Sequence, residues 1–200
     1  MQATGNLYGL VLSGGQSTRM GQDKGLLQYH GKTQRQHAYQ LLQQVCDRVF
    51  LSLRPGQEHN LEDQMEFLLD NHPFRGPING ILSALQQHPS AAFLVMACDL
   101  PLVTESTVLN LKQERDPSLT VTAYAVEGSE LPEPLLAIWE PSAYEPALAF
   151  ALGGTFCPRK FLLQAHTKLI RPNNAEEIFN ANNPEEYAYA LNQLRHGKQV

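Results

Sequence analysis

The stretch Leu12-Ser13-Gly14-Gly15-Gln16-Ser17-Thr18-Arg19-Met20-Gly21-Gln22-Asp23-Lys24 gathers residue types suited to holding a polyphosphate. The Gly14-Gly15 pair lets the backbone approach a ligand closely and turn its N–H groups toward it. Arg19 and Lys24 add fixed positive charge to the same loop. Ahead of the loop, Leu7 to Leu12 is an apolar run of strand length broken only by Gly9, so the glycines fall at a strand's carboxyl end. Open α/β sheets bind their ligands at such ends. Spacing excludes two common phosphate loops. A P-loop needs Ser or Thr after its lysine, whereas Gly25 follows Lys24, and Gly14-Gly15-Gln16 does not supply a dinucleotide fingerprint. What remains is G-G-x-x-x-R-M-G-x-D-K after a strand.

A second constellation follows the clearest strand in the chain, the continuous apolar run Phe93-Leu94-Val95-Met96-Ala97, which reads as a central parallel strand. It ends in Cys98-Asp99-Leu100-Pro101, which puts Asp99 at the same edge of the sheet as the glycine loop. Magnesium is content with one or two carboxylates plus substrate phosphates and water, so a lone aspartate there suffices as protein ligand. The plainer alternative is a turn residue, since D-x-P favours turns. Cys46, Cys98 and Cys157 are too widely spaced for a C-x-x-C motif and form no disulfide framework. The seven histidines, His30, His37, His59, His72, His88, His166 and His196, show no metal-ligand spacing.

The elements that must position these residues alternate. Thr33 caps a helix running to about Cys46, with Ala38, Leu41, Leu42 and Val45 at helical spacing. Val49 to Leu53 and Glu66 to Asp70 read as strands, Ile78 to Gln87 as a helix, and Thr104 as the start of another helix. Thr120 to Val126 and Glu133 to Trp139 read as further strands, the latter with Pro134 near its start. Helices are expected from about Ser142 to Ala151, from Pro158 to His166, and after Pro184. This order predicts an α/β fold, a mostly parallel sheet with right-handed crossovers.

The 200 residues of the chain suit one domain, 1–200, with a single core. A net charge of −5 argues against a nucleic-acid or membrane-surface binder, which would carry broad basic patches. No apolar run is long enough to span a bilayer and no signal-peptide pattern opens the chain, so a cytoplasmic protein is expected.

The motif G-G-x-x-x-R-M-G-x-D-K resembles the signature of nucleotidyltransferases that activate a phosphorylated acceptor with an NTP, and most closely the molybdenum cofactor guanylyltransferase branch. The resemblance covers nearly the whole chain. It implies a three-layer Rossmann-like nucleotidyltransferase fold, Mg2+ as cofactor, GTP and a molybdopterin-type acceptor as substrates, and partner proteins of molybdenum cofactor biosynthesis. It implies a nucleotide loop at Leu12, Ser13, Gly14 and Gly15, where Gly15 is similar to the glycine associated with guanine and cytidylyltransferase relatives tend to have Ala-Ala-Gly. Lys24 matches the family lysine, Asp70 a nucleotide-contacting aspartate, and Gly76-Pro77 with Gly80 the G-P-x-x-G segment beside the base. Asp99 matches the magnesium aspartate. Asn180 and Asn182, in N-A-N-N-P-E-E, match a late substrate or metal contact placed here on the acceptor side. Read from the residues alone, Asp70-Asn71 is a strand-ending turn and 180–184 a capped helix entry.

One departure stands out: the family's second-strand asparagine has no match, since Leu51, Ser52 and Leu53 stand there. Arg159 and Lys160 either meet an acceptor phosphate or decorate a helix. The implied reaction moves GMP from GTP to the acceptor phosphate, with pyrophosphate leaving under Arg19 and Lys24. Alternatives are a cytidylyltransferase or sugar-phosphate nucleotidyltransferase of the same fold, or a nucleotide-binding partner protein without transfer activity.

Overall fold

The computed structural model describes residues 5–13, 24–58, 61, 65–126 and 128–196. Among them, β1 Leu7–Leu12, β2 Arg48–Leu53, β3 Phe67–Leu69, β4 Ala92–Ala97, β5 Val121–Ala125, β6 Pro132–Trp139 and β7 Thr167–Ile170 build a 7-stranded sheet. The order is β3-β2-β1-β4-β6-β5-β7. Neighbours are parallel except at β6, which runs antiparallel to both β4 and β5. This is the mostly parallel α/β sheet that the alternation of elements predicts.

Helices cover both faces. On one side α1 Gln34–Gln43 and α3 Glu105–Gln113 bring Ala38, Leu42, Val108 and Leu111 against Val11, Leu51, Leu94 and Met96. On the other, α2 Pro77–Gln87, α4 Tyr144–Leu152 and α5 Pro158–Leu162 bring Ile81, Leu85, Ala147 and Phe161 against Leu10, Phe50, Phe93, Val95 and Trp139. Strand β4 therefore sends alternate side chains into two cores and is buried along its whole length, which is why it reads as an uninterrupted apolar run. The last helix, α6 Pro184–His196, packs Ala190 into a smaller cluster with Leu27, Tyr29, Leu102 and Ala181.

Local chemistry starts the helices where expected. The Thr33 side chain accepts the Gln36 N–H at the entry to α1, and Thr104 and Thr107 form a reciprocal capping box on α3. Pro77 opens α2, a position whose N–H needs no partner. Several boundaries shift by one to three residues, among them the end of α1, at Gln43 rather than near Cys46. The helix at Pro158 ends at Leu162, and 167–170 then pair in parallel with β5 as an edge strand. Thr167-Lys168-Leu169-Ile170 buries only its last residue, so it carries no apolar pattern that a sequence reading could register. Strand β6 opens at Pro132, ahead of Pro134.

The chain order creates one crevice. From β1 the chain builds outward to β2 and β3, then returns to place β4 on the other side of β1. The carboxyl ends of β1 and β4 thus border a topological switch point, with Leu12 opposite Ala97 on one side and Ser52 on the other. No helix among the described residues is long and apolar enough to cross a membrane.

Candidate active site

The strand ends at the switch point surround a cavity of about 780 Å3. Leu12, Ser13, Lys24, Asp70, Gly76, Pro77, Gly80 and Asp99, separated by up to 87 positions in the chain, all line it. Gly14, Gly15 and Arg19 lie outside the described residues. Asn180 and Asn182 do not line the cavity but attach to groups around it, as follows.

Lys24 Nζ lies 3.2 Å from Asp99 Oδ2 and donates to Asn182 Oδ1 at 2.7 Å. The main chain joins the same groups, because the Ala181 N–H donates to the Asp99 carbonyl at 2.8 Å. Asn182 is held in turn by its own N–H, which donates to Glu186 Oε2 in the first turn of α6, while Asn183 Oδ1 accepts the Glu186 N–H. The turn-rich segment read as a helix entry is thus both a cap and a link to the cavity. Asp99 Oδ1 is buried and has no hydrogen-bond partner among the described residues. That oxygen has a lone pair to give to a cation.

The opposite wall carries a second carboxylate. Asp70 follows β3, and its Oδ1 accepts the Ser52 hydroxyl at 2.7 Å. Burial pushes the Asp70 carboxyl above its ordinary range, opposed by the Ser52 bond and the nearby Arg54. Gly80, in α2, sits directly against this pair: a Cβ there would lie 2.2 Å from Ser52 Oγ and 3.2 Å from Asp70 Oδ1. At the entry to α2, Gly76 has φ +76°, a conformation that favours glycine. The G-P-x-x-G segment therefore has backbone reasons for its residue types in addition to lining the cavity. Ser52 lies within Leu51 to Leu53, the stretch that lacks the family asparagine; the sequence shows it only as one hydroxyl within an apolar strand, with no sign of its partner.

The antiparallel strand supplies a third wall. Along β5, Ala123 pairs with Ala137 but Tyr124 pairs with Glu133, so Pro134, Leu135 and Leu136 form an extra segment on β6. Leu135 from this bulge lines the cavity. Two bonds hold the bulge: Glu133 Oε1 accepts the Leu135 N–H at 3.1 Å, and Trp139 Nε1 donates to the Pro134 carbonyl at 3.2 Å. Glu133 Oε2 also accepts Arg159 Nη2 at 3.1 Å and Asn180 Nδ2 at 3.3 Å. The Glu133 side chain is 4% exposed and burial pushes its carboxyl up. Arg159 is thus tied to the strand; sequence reasoning read Glu133 only as the start of a strand, because nothing in the sequence shows its bonds to Arg159 and Asn180.

Comparison with known proteins gives a consistent result. The family model described as MobA-like NTP transferase domain matches residues 9–169. A molybdenum cofactor biosynthesis bifunctional protein from Synechocystis sp. is 39% identical over 182 residues, covering 90% of this chain and 52% of that protein. The chain therefore spans about half the length of that relative. A molybdenum cofactor guanylyltransferase from Pseudomonas fluorescens is 30% identical over 180 residues, covering 88% of this chain and 89% of that protein. Among solved structures, molybdopterin-guanine dinucleotide biosynthesis protein A from Archaeoglobus fulgidus superposes with a TM-score of 0.80 at 22% identity, covering 94% of this chain and 99% of that one.

Proposed function

The chain belongs to the MobA-like NTP transferase family, and on that premise we propose that it transfers GMP from GTP to the phosphate of molybdopterin, releasing pyrophosphate. The observation that carries the reading is the junction of Lys24, Asp99 and Asn182 beside the switch-point cavity. An acceptor phosphate oxygen attacks the α-phosphorus of GTP in line; the new P–O bond forms as the bond to the β-phosphate oxygen breaks, and pyrophosphate departs with the electron pair. The chemistry needs positioning and charge stabilisation more than covalent catalysis.

Lys24 offers the phosphates a cation that is already oriented by Asp99 and Asn182. Arg19 is assigned to the leaving pyrophosphate, and Gly14 and Gly15 to the phosphate backbone contacts, from their places in the loop. Asp70, backed by Ser52, is assigned to the base as a half-buried acceptor. A Mg2+ ion held by Asp99 would offset the charge that gathers on the α-phosphate. The orphaned Asp99 Oδ1 supports that assignment. Asn180 and Asn182 face the acceptor half. A GTP-consuming reaction also fits a cytoplasmic protein, and partner proteins would deliver molybdopterin or receive the product.

The test is calorimetric binding of GTP, CTP, ATP and UTP with Mg2+, followed by pyrophosphate release with molybdopterin. Selective GTP binding with release is the expected result. Preference for CTP would move the chain to the cytidylyl branch, and GTP binding without release would make it a binding partner without transfer activity.

A further inference from the structure

We infer that Glu133 is the positioning residue of the acceptor half of the site, the group that sets Arg159 and Asn180 for an anionic acceptor. The inference rests on the proposed function for the identity of the acceptor, and on geometry for the rest. Its own strand and two segments distant in sequence converge on this one carboxylate. The Leu135 N–H of the β6 bulge, the guanidinium of Arg159 in α5, and the amide of Asn180 before α6 all donate to it. Asn180 is two residues from Asn182, which holds Lys24. The carboxylate thus joins the wall at Leu135 to the residues that reach the reacting phosphates.

Charge accounts for the arrangement. A carboxylate near Asp99 would repel an incoming phosphate and would be costly to bury alone. Arg159 cancels that charge through Nη2, while its Nε donates to the Pro132 carbonyl at 3.0 Å, so the guanidinium is fixed to β6 by two bonds. The Arg159 side chain remains 43% exposed, against 4% for Glu133. The pair therefore has a buried anchor and an accessible cationic end, an arrangement suited to receiving a phosphate. A packed apolar residue at 133 could fill the same volume but could not orient three donors.

Glutamine at 133 keeps the shape and loses the logic. It has one acceptor oxygen for three donors, and its own NH2 faces them. For Glu133→Gln we expect the KM for molybdopterin to rise about tenfold, since small misplacements of positioning groups cost that much or more. The Kd for GTP, measured by calorimetry, should stay within about twofold, because the base and triphosphate groups lie on other strands. Arg159→Ala should raise the same KM, and adding Glu133→Gln to it should raise KM by less than in the wild-type background. A residue that only supported the fold would shift GTP binding and acceptor KM alike.

An unchanged molybdopterin KM in Glu133→Gln, with wild-type turnover intact, overturns this inference and leaves the proposed function standing. Equal losses for GTP and acceptor overturn it as well. Wild-type protein that binds GTP but releases no pyrophosphate with molybdopterin overturns the proposed function and the acceptor role of Glu133 with it. If Glu133→Gln does not fold, the Arg159→Ala variant decides, because removing an accessible guanidinium must raise the acceptor KM and spare GTP binding.

Discussion

Replacing Gly80 by alanine puts the packing of α2 against the Ser52–Asp70 pair to a quantitative test. The added Cβ would lie 2.2 Å from Ser52 Oγ, 3.0 Å from Leu12 Cδ2 and 3.2 Å from Asp70 Oδ1. The second and third contacts are tight but can relax. The first cannot stand, and the cheapest relief is to rotate the Ser52 hydroxyl away, which breaks its 2.7 Å bond to Asp70. A hydrogen bond to a charged group is worth about 1.5–3 kcal/mol, and alanine in a helix gains about 1 kcal/mol over glycine, so Gly80→Ala should lose about 0.5–2 kcal/mol net. Ser52→Ala breaks the same bond without the helix gain and should lose about 1.5–3 kcal/mol. In the double variant the bond is already absent and the 2.2 Å contact is gone, so the helix gain returns. The sum of the single losses should then exceed the double loss by about 2 kcal/mol. Urea unfolding of the four proteins at equal slope measures this coupling directly. Additivity within about 0.5 kcal/mol, or a Gly80→Ala variant more stable than the parent, would refute the packing argument.

Three further outcomes follow, two from the site and one from the His30–His37 stack. Asp99→Asn should lower turnover by about 100- to 1000-fold at saturating Mg2+, the usual cost of removing one electrostatic stabiliser, while the urea midpoint changes little because the Lys24–Asp99 pair is partly exposed; near-parental turnover would remove Asp99 from the metal role. Asp70→Asn should weaken GTP binding yet raise stability at pH 7. The folded-state pKa of Asp70 is raised by burial, so as pH rises the unfolded chain ionises first and stability is lost through the folded pKa. The gain should therefore shrink at pH 4, and an equal gain at both values would contradict the burial argument. His37, stacked on His30 at 3.6 Å, has its pKa lowered by burial to about 4. As pH falls below 6.5 the unfolded chain takes up the proton first, so stability is lost toward pH 4; His37→Phe, which keeps the stack, should flatten that part of the urea-midpoint profile, and parallel profiles would count against it.

Much of the cavity wall was legible in the sequence because its residues follow strand ends. Apolar runs announce β1 and β4, a parallel sheet puts their carboxyl ends at one edge, and Asp99 and Ser13 follow directly. Gly76, Pro77 and Gly80 came from the family resemblance alone, and the structure adds the backbone and packing reasons for two of them, the positive φ of Gly76 and the close approach at Gly80. What could not be read depends on pairing across long separations. Ser52 needs Asp70 to have a meaning, Glu133 needs Arg159 and Asn180, and neither set shares a period or a motif. Strand β7 was missed for a different reason, since an edge strand that buries one residue in four has almost no hydrophobic signal.

On the proposed function, the reversal of β6 accounts for how one cavity would serve two substrates. A parallel sheet can bring only carboxyl ends of strands to the switch point, and here those ends already carry Ser13, Ser52, Asp70 and Asp99. A strand running the other way delivers its beginning to the same edge, and the bulge at Pro134 to Leu136 then turns Leu135 into the cavity while Glu133 gathers Arg159 and Asn180. Among the described residues, Lys24 bonds to both Asp99 and Asn182 and so links the proposed nucleotide and acceptor halves. Substitutions should divide along that line: changes at Ser52, Asp70 or Gly80 act on GTP, changes at Glu133 or Arg159 act on the acceptor, and changes at Lys24 or Asp99 act on the transfer between them. Kinetic effects that ignore this division, with Glu133 variants failing first in GTP binding, would mean that the antiparallel strand supports the nucleotide and that the acceptor enters elsewhere.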